Sequence, residues 1–163
     1  MKTIALRQPL TPASTRGAST MVPGGRRALH DPRWPALNQA LVDLRLRHRH
    51  AIRIVDADCA AGSLLLRACR RARELGFTAI EGRGIDGSPA LIGQARAAAL
   101  KLSDPAIGVA FELADAQTAL RDEADFPADI ALWSGAHRPA IDDALARAAA
   151  FVICDPACSG QGA

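Results

Sequence analysis

The sequence predicts an α/β fold: a mostly parallel sheet of about five strands in three layers, with helices on both faces. Three observations carry that prediction. Residues 52–66, IRIVDADCAAGSLLL, read as an apolar strand, a tight turn of small residues and a helix. Residues 82–96, GRGIDGSPALIGQAR, read as a strand ending in an acid, Asp86, and then a capped helix. Strand and helix patterns go on alternating with short connections to about residue 155, which implies right-handed crossovers and parallel pairing.

Each element has its own signal. Residues 1–30 read as a flexible basic arm, because TPASTRGASTMVPGGRR is rich in Pro, Gly, Ser and Thr and has no period of either kind. Its early apolar residues, Ile4, Ala5 and Leu6, are too few for a secretory core, although the pattern admits an edge strand over Lys2 to Arg7. Residues 31–163 read as the folded domain. Leu37, Leu41 and Leu44 form one apolar helical stripe, Pro35 suits its first turn, and Arg45, Arg47 and Arg49 suit its C-terminal end. Trp34 is expected to pack in the core. After the first strand, Ser63 to Leu75 reads as a helix with Leu65, Leu66, Cys69 and Ala72 inward, ended by Gly76. Thr78 to Asp86 is the second strand. Ser88 and Pro89 then cap a helix that buries Leu91, Ile92, Ala95, Ala99 and Leu102. Ile107 to Leu113, Asp129 to Trp133 and Ala150 to Cys154 are the remaining strands, with a helix over Ile141 to Ala149.

Composition narrows the function. The 163 residues suffice for one domain with a real core, and no apolar run approaches the roughly 18 residues of a membrane span. With no Tyr and few other aromatics, the core must be built from Ala, Leu, Ile and Val. Charge is uneven. Residues 1–50 carry nine Lys or Arg against two acids, whereas residues 51–163 carry eleven against fifteen. A basic N-terminal region gives nucleic acid a route of attraction, weighed against a merely solvated face.

Strand, small-residue turn, helix, strand, acid is how an α/β sheet builds a nucleotide-sized pocket. These residues resemble the S-adenosylmethionine-dependent methyltransferases of the Rossmann-like class, and the resemblance spans roughly residues 50–155. In that family an acid ends the first strand and a G-x-G-x-G turn follows. Here the acid is Asp56, and the glycine positions hold Asp58, Ala60 and Gly62, with Cys59 between them. Alanine at 60 costs little where φ is negative, so Asp58 is expected to be the serious departure. A nicotinamide-type turn would need glycines at 58, 60 and 63 and finds Asp, Ala and Ser.

The resemblance implies S-adenosyl-L-methionine as cofactor. It places Asp86, with Gly87 beside it, on the ribose hydroxyls, Asp115 and the Ala116 backbone at the adenine, and Trp133 and Ser134 toward the methyl-donor end. His137 is a candidate base for an unidentified methyl acceptor. The family's sheet continues with a further helix and strand pair, so the usual C-terminal strands are expected to be missing. They are replaced, if at all, by the N-terminal arm or a second subunit, which makes a homodimer an expectation. Two other readings stay open: a noncatalytic nucleotide-fold protein acting through association, and a nicotinamide dinucleotide binder.

Cysteines 59, 69, 154 and 158 have no secretory signal before them, so reduced thiols and a cytoplasmic setting are expected. Two cysteines do not make a zinc site, and no metal is expected. The tail DPACSGQG resembles the cysteine segment of RNA cytosine-5 methyltransferases, but its spacing suits a surface turn better than a nucleophilic Cys158.

Overall fold

The computed structural model describes residues 25–157. Most of the basic arm, the suggested strand over Lys2 to Arg7, and Cys158 lie outside the described residues. Five strands form one parallel sheet: β1 (Ala51–Asp56), β2 (Ala79–Asp86), β3 (Ile107–Leu113), β4 (Ala128–Trp133) and β5 (Ala149–Cys154). Their spatial order is β3-β2-β1-β4-β5. The helices are α1 (Arg26–Leu29), α2 (Trp34–Leu46), α3 (Ser63–Glu74), α4 (Pro89–Ala99), α5 (Ala116–Glu123) and α6 (Pro139–Ala148).

Covering both faces of a parallel sheet demands two separate apolar layers. One joins Leu37, Leu41 and Leu44 of α2, the inner side of α3, and Ile92, Ala95 and Ala98 of α4 to Ile52, Ile54, Ile80, Ile130 and Leu132 of the sheet. The other joins Ala119 and Leu120 of α5 and Ile141, Ala144, Leu145 and Ala148 of α6 to Val55, Ile85 and Ala131. Complete burial of side chains such as Leu37, Leu41 and Leu65 is worth roughly 1.5–3 kcal/mol apiece.

Several sequence expectations shift. Ala28 of α1 is buried and α1 packs on α3, so the described end of the basic arm is folded. In α4, Leu91 and Ala99 are only partly buried, because the inward stripe runs through Ile92, Ala95 and Ala98. Helix α5 has no counterpart in the sequence reading. Its inward stripe is Ala119, Leu120 and Glu123, with a single large apolar residue. Buried Glu123 is held by Arg53 and Arg83, which project from neighbouring strands. Among the described residues no helix is long and apolar enough to cross a membrane.

Candidate functional site

The parallel register brings several strand ends to one edge of the sheet. Asp56 lies beside Gly84 and Leu132, and Asp86 lies beside Leu113. The strand order reverses between β1 and β4, and the crevice outside such a reversal is where open α/β sheets bind ligands.

Residues 57–62 form the turn from β1 into α3, and their amides tie them to the neighbouring strands. Ala57 N–H donates to the Leu132 carbonyl at 3.0 Å and Cys59 N–H to the Ile85 carbonyl at 2.9 Å. Ala60 N–H donates to Oδ2 of Asp86 at 3.0 Å, and Ser88 N–H donates to its Oδ1 at 2.7 Å. Asp86 therefore fastens two turns. Gly87 beside it is exposed, and a Cβ there would meet nothing within 4 Å.

The left-handed backbone falls at Ala60, with φ 47°, and at Gly62, with φ 74°. Asp58 has no positive φ, so the expected strain at Asp58 and ease at Ala60 are exchanged. The left-handed conformation costs an L-residue about 1–2 kcal/mol, and the Ala60 to Asp86 hydrogen bond helps hold it. Gly62 has a second duty. A Cβ on it would lie 2.5 Å from the Phe111 ring, and one on Gly84 would collide with the same ring. Phe111 of β3 fills the space that both glycines leave.

Asp56 occupies an unusual environment. It is fully buried; Nη1 of Arg33 reaches its Oδ1 at 3.5 Å, and its Oδ2 has no partner. Burial, aided by the charges of Asp58 and Asp31 and opposed by Arg33, pushes its carboxyl up to about 7. Arg33, also buried, is clamped to Asp31 through Nε at 3.0 Å and Nη2 at 2.8 Å. Burial opposes the Arg33 charge, but Asp31, Asp56 and Asp58 more than compensate and raise its pKa. Asp58 accepts a hydrogen bond from Ser134 Oγ at 2.7 Å, which links the turn to the segment after β4. The Cys59 thiol is pushed far up by burial and by the neighbouring carboxylates, so it is a packing group and no nucleophile.

Asp115, Ala116 and Trp133 gather in a neighbouring cavity of about 310 Å³, together with Gln117, Arg138 and Ile141. Asp115 caps α5 by accepting from Thr118 N–H at 2.9 Å, and that bond holds its carboxyl below the ordinary range. Trp133 packs on Gly135, and its indole Nε1 is buried without a partner. His137 is exposed and bonded to Asp142 at 2.8 Å. A larger cavity, about 470 Å³, opens at the opposite edge of the sheet. Its charged groups already pair with each other, Arg49 with Asp129 and Arg53 with Glu81.

The structure thus gathers Asp56 at the end of β1, Asp58, Cys59, Ala60 and Gly62 in the turn that follows and Asp86 at the end of β2, with Asp115, Ala116 and Trp133 in a cavity at the same end of the sheet. Arg33 is the residue that sequence reasoning missed. The HDPR segment looks like an ordinary helix entrance, and nothing in its spacing shows that the guanidinium turns inward onto Asp56.

No family model matches the chain, and no curated protein matches it in sequence. Solved structures match it in fold. A protein from Escherichia coli named a methyltransferase superposes with a TM-score of 0.52 at 16% identity, over 78% of this chain and 66% of that one. An S-adenosylmethionine-dependent methyltransferase from Agrobacterium tumefaciens gives 0.54 at 16% identity, over 76% and 41%. A protein from Haemophilus influenzae named a methylase gives 0.50 at 11% identity, over 69% and 64%. The chain spans between two fifths and two thirds of the length of these structures. At such identities the likeness establishes the Rossmann-like α/β fold that class I methyltransferases share.

Proposed function

We propose that this chain binds S-adenosyl-L-methionine at the crevice beside β1, β2 and β4, and serves transfer of its methyl group to an acceptor. The observation that carries the reading is the juxtaposition, at the strand-order reversal, of a carboxylate-anchored turn with a cavity of about 310 Å³ lined by Asp115, Gln117, Trp133 and Arg138. Likeness of fold to methyltransferases supports it.

The residues present fit the ligand. Asp86 keeps lone pairs for ribose hydroxyls after taking two backbone amides. The cavity sets the polar groups of Asp115, Gln117 and Arg138 beside the Trp133 ring and Ile141, a mixture of polar and apolar lining that suits a flat base. Asp56, with one oxygen lacking a partner, suits a cationic group at the other end of the ligand. When bound, the cofactor supplies a methyl group already activated on a sulfonium. The protein is then left to hold, orient and exclude water. Asp58 and Ser134, bonded to each other, fix the wall between turn and β4, and Arg33 closes it from the α2 side. No nucleophile is required, in keeping with the inert Cys59.

Calorimetric titration with S-adenosylmethionine, its demethylated product and NAD tests the reading. Saturable binding of the two sulfur compounds is expected. Binding of NAD alone would overturn it.

A further inference from the structure

The two edges of the sheet are unlike. Among the described residues no strand pairs with the outer side of β3 or of β5. Strands β1 to β4 each carry at least one charged residue, whereas β5, AAFVIC, carries none. A charge on an edge strand discourages a second strand from adding to it, and β5 lacks that guard. Asp155 N–H donates to the Trp133 carbonyl at 3.0 Å, so the alternation of strand backbone turns the amides and carbonyls of Ala150 and Val152 away from β4. The side chains agree. Phe151 and Val152 point to opposite faces of the sheet and remain 41% and 39% exposed. Phe151 lines a groove of about 290 Å³ with Ala36, Ala40 and Leu44 of α2, and the two charges of that groove, Asp43 and Arg47, cancel.

We infer that β5 is the interface of a homodimer, in which the β5 strands of two copies pair antiparallel about a two-fold axis normal to the sheet and join the two sheets into one. An edge that is apolar on both faces needs a partner strand that is apolar on both faces. A strand with one charged face would set that charge against either Phe151 or Val152. Among the described strands β5 alone meets the condition, so the strand that fits this edge best is a second copy of itself. The sequence Lys2 to Arg7, the other candidate strand, has a basic residue at each end and suits the uncharged edge less well. Antiparallel pairing makes the contact self-complementary, and no like charges face each other along it. A standard interface takes roughly 800 Å² from each copy, more than a short ladder supplies. The two-fold axis sets both α2 helices on one side of the joined sheet, where the grooves beside Phe151 add apolar surface without net charge. The inference stands independently of the cofactor reading.

Sedimentation velocity of the full chain across roughly 1–100 μM tests it. A reversible monomer–dimer equilibrium is expected, and hydrogen exchange at the Ala150 and Val152 amides should slow as the dimer forms. Val152→Lys brings two ammonium groups close together across the axis and is expected to weaken the dimer at least about tenfold. Leu100→Lys, at the exposed C-terminal end of α4, should change nothing. Should Val152→Lys fail to fold by circular dichroism, Ala150→Lys, at a position already exposed, is expected to weaken the dimer severalfold. A monomer throughout the range overturns the inference, and protected Ala150 and Val152 amides in that monomer would assign the edge to another segment of this chain. A dimer that neither lysine weakens overturns it too. So does growth into larger assemblies, since isologous pairing uses up both β5 edges.

Discussion

Asp56 and Asp86 end adjacent strands, both are buried, and the two carboxylates live under opposite conditions. Asp86 takes two short backbone hydrogen bonds, from Ala60 and Ser88, and its negative charge is put to structural use. Asp56 has a long contact to Arg33, a weak backbone contact from Asp58 and a buried oxygen without a close partner. One group organises the turn; the other costs the fold stability and holds unmet capacity for a cation. The contrast separates two roles that a motif read along the chain fuses into one: scaffolding of a ligand site, and the electrostatic demand that a ligand satisfies.

The largest expected effect concerns the free protein. Asp56 titrates near 7 when folded and near the ordinary 3.8 when unfolded. The unfolded chain therefore releases this proton first as pH rises. Its contribution is fully favourable below about pH 4 and is lost progressively up to about pH 7, by as much as about 4 kcal/mol. Urea denaturation at pH 5 and pH 8 should show lower stability at pH 8, and Asp56→Asn should remove most of the difference. A flat wild-type profile across that window would erase the contrast with Asp86.

Next in size is Asp86→Asn, in which one backbone amide loses its acceptor. A loss of about 1.5–3 kcal/mol in stability is expected, together with roughly ten- to hundredfold weaker S-adenosylmethionine binding. Loss of stability with affinity unchanged would make Asp86 purely a fastener of the turn.

A cationic ligand favours ionised Asp56, so binding should release a proton. Affinity for S-adenosylmethionine is expected to rise about tenfold per pH unit up to near 7 and then level off. Calorimetry in two buffers of different ionisation enthalpy measures the released proton directly. The same affinity at pH 5.5 and 7.5 would detach Asp56 from the ligand.

The smallest effect is at the turn itself. Ala60→Gly relieves the positive φ but frees the unfolded chain, so a net gain of about 0.5–1 kcal/mol is expected in thermal or urea unfolding. Destabilisation instead would show that the Ala60 methyl is packed more usefully than its backbone is strained.

Much of this was legible in the sequence. The β3 boundaries, the Ser88 cap and the buried leucines of α2 follow from period and capping chemistry, because local signals there agree with the tertiary demand. Helix α5 escaped because its inward stripe includes Glu123, a charge that becomes acceptable only when Arg53 and Arg83 arrive from β1 and β2. The site divides in the same way. Asp56 and Asp86 stand at strand ends and announce themselves. Arg33, which lies 23 positions before Asp56, meets it only through the docking of α2, and no local pattern encodes that contact. The misjudged strain at Ala60 has a similar origin, since the φ of a turn residue is set by the strands it joins.

Phe111 ties together three positions far apart in the chain. Its ring occupies the volume left empty at Gly62 and Gly84, so the three residues are free to vary only in a certain order. While the phenyl is present, a methyl group at either glycine is excluded. Once a lineage replaces Phe111 with a smaller side chain, the main obstacle at Gly84 is gone and only the Cys59 sulfur, 3.1 Å from a Cβ there, still has to give. Gly62 is not released, since its left-handed backbone keeps its own claim on glycine. The last glycine of the turn is thereby doubly insured, and a single ring on the third strand decides which substitutions its distant neighbours can survive.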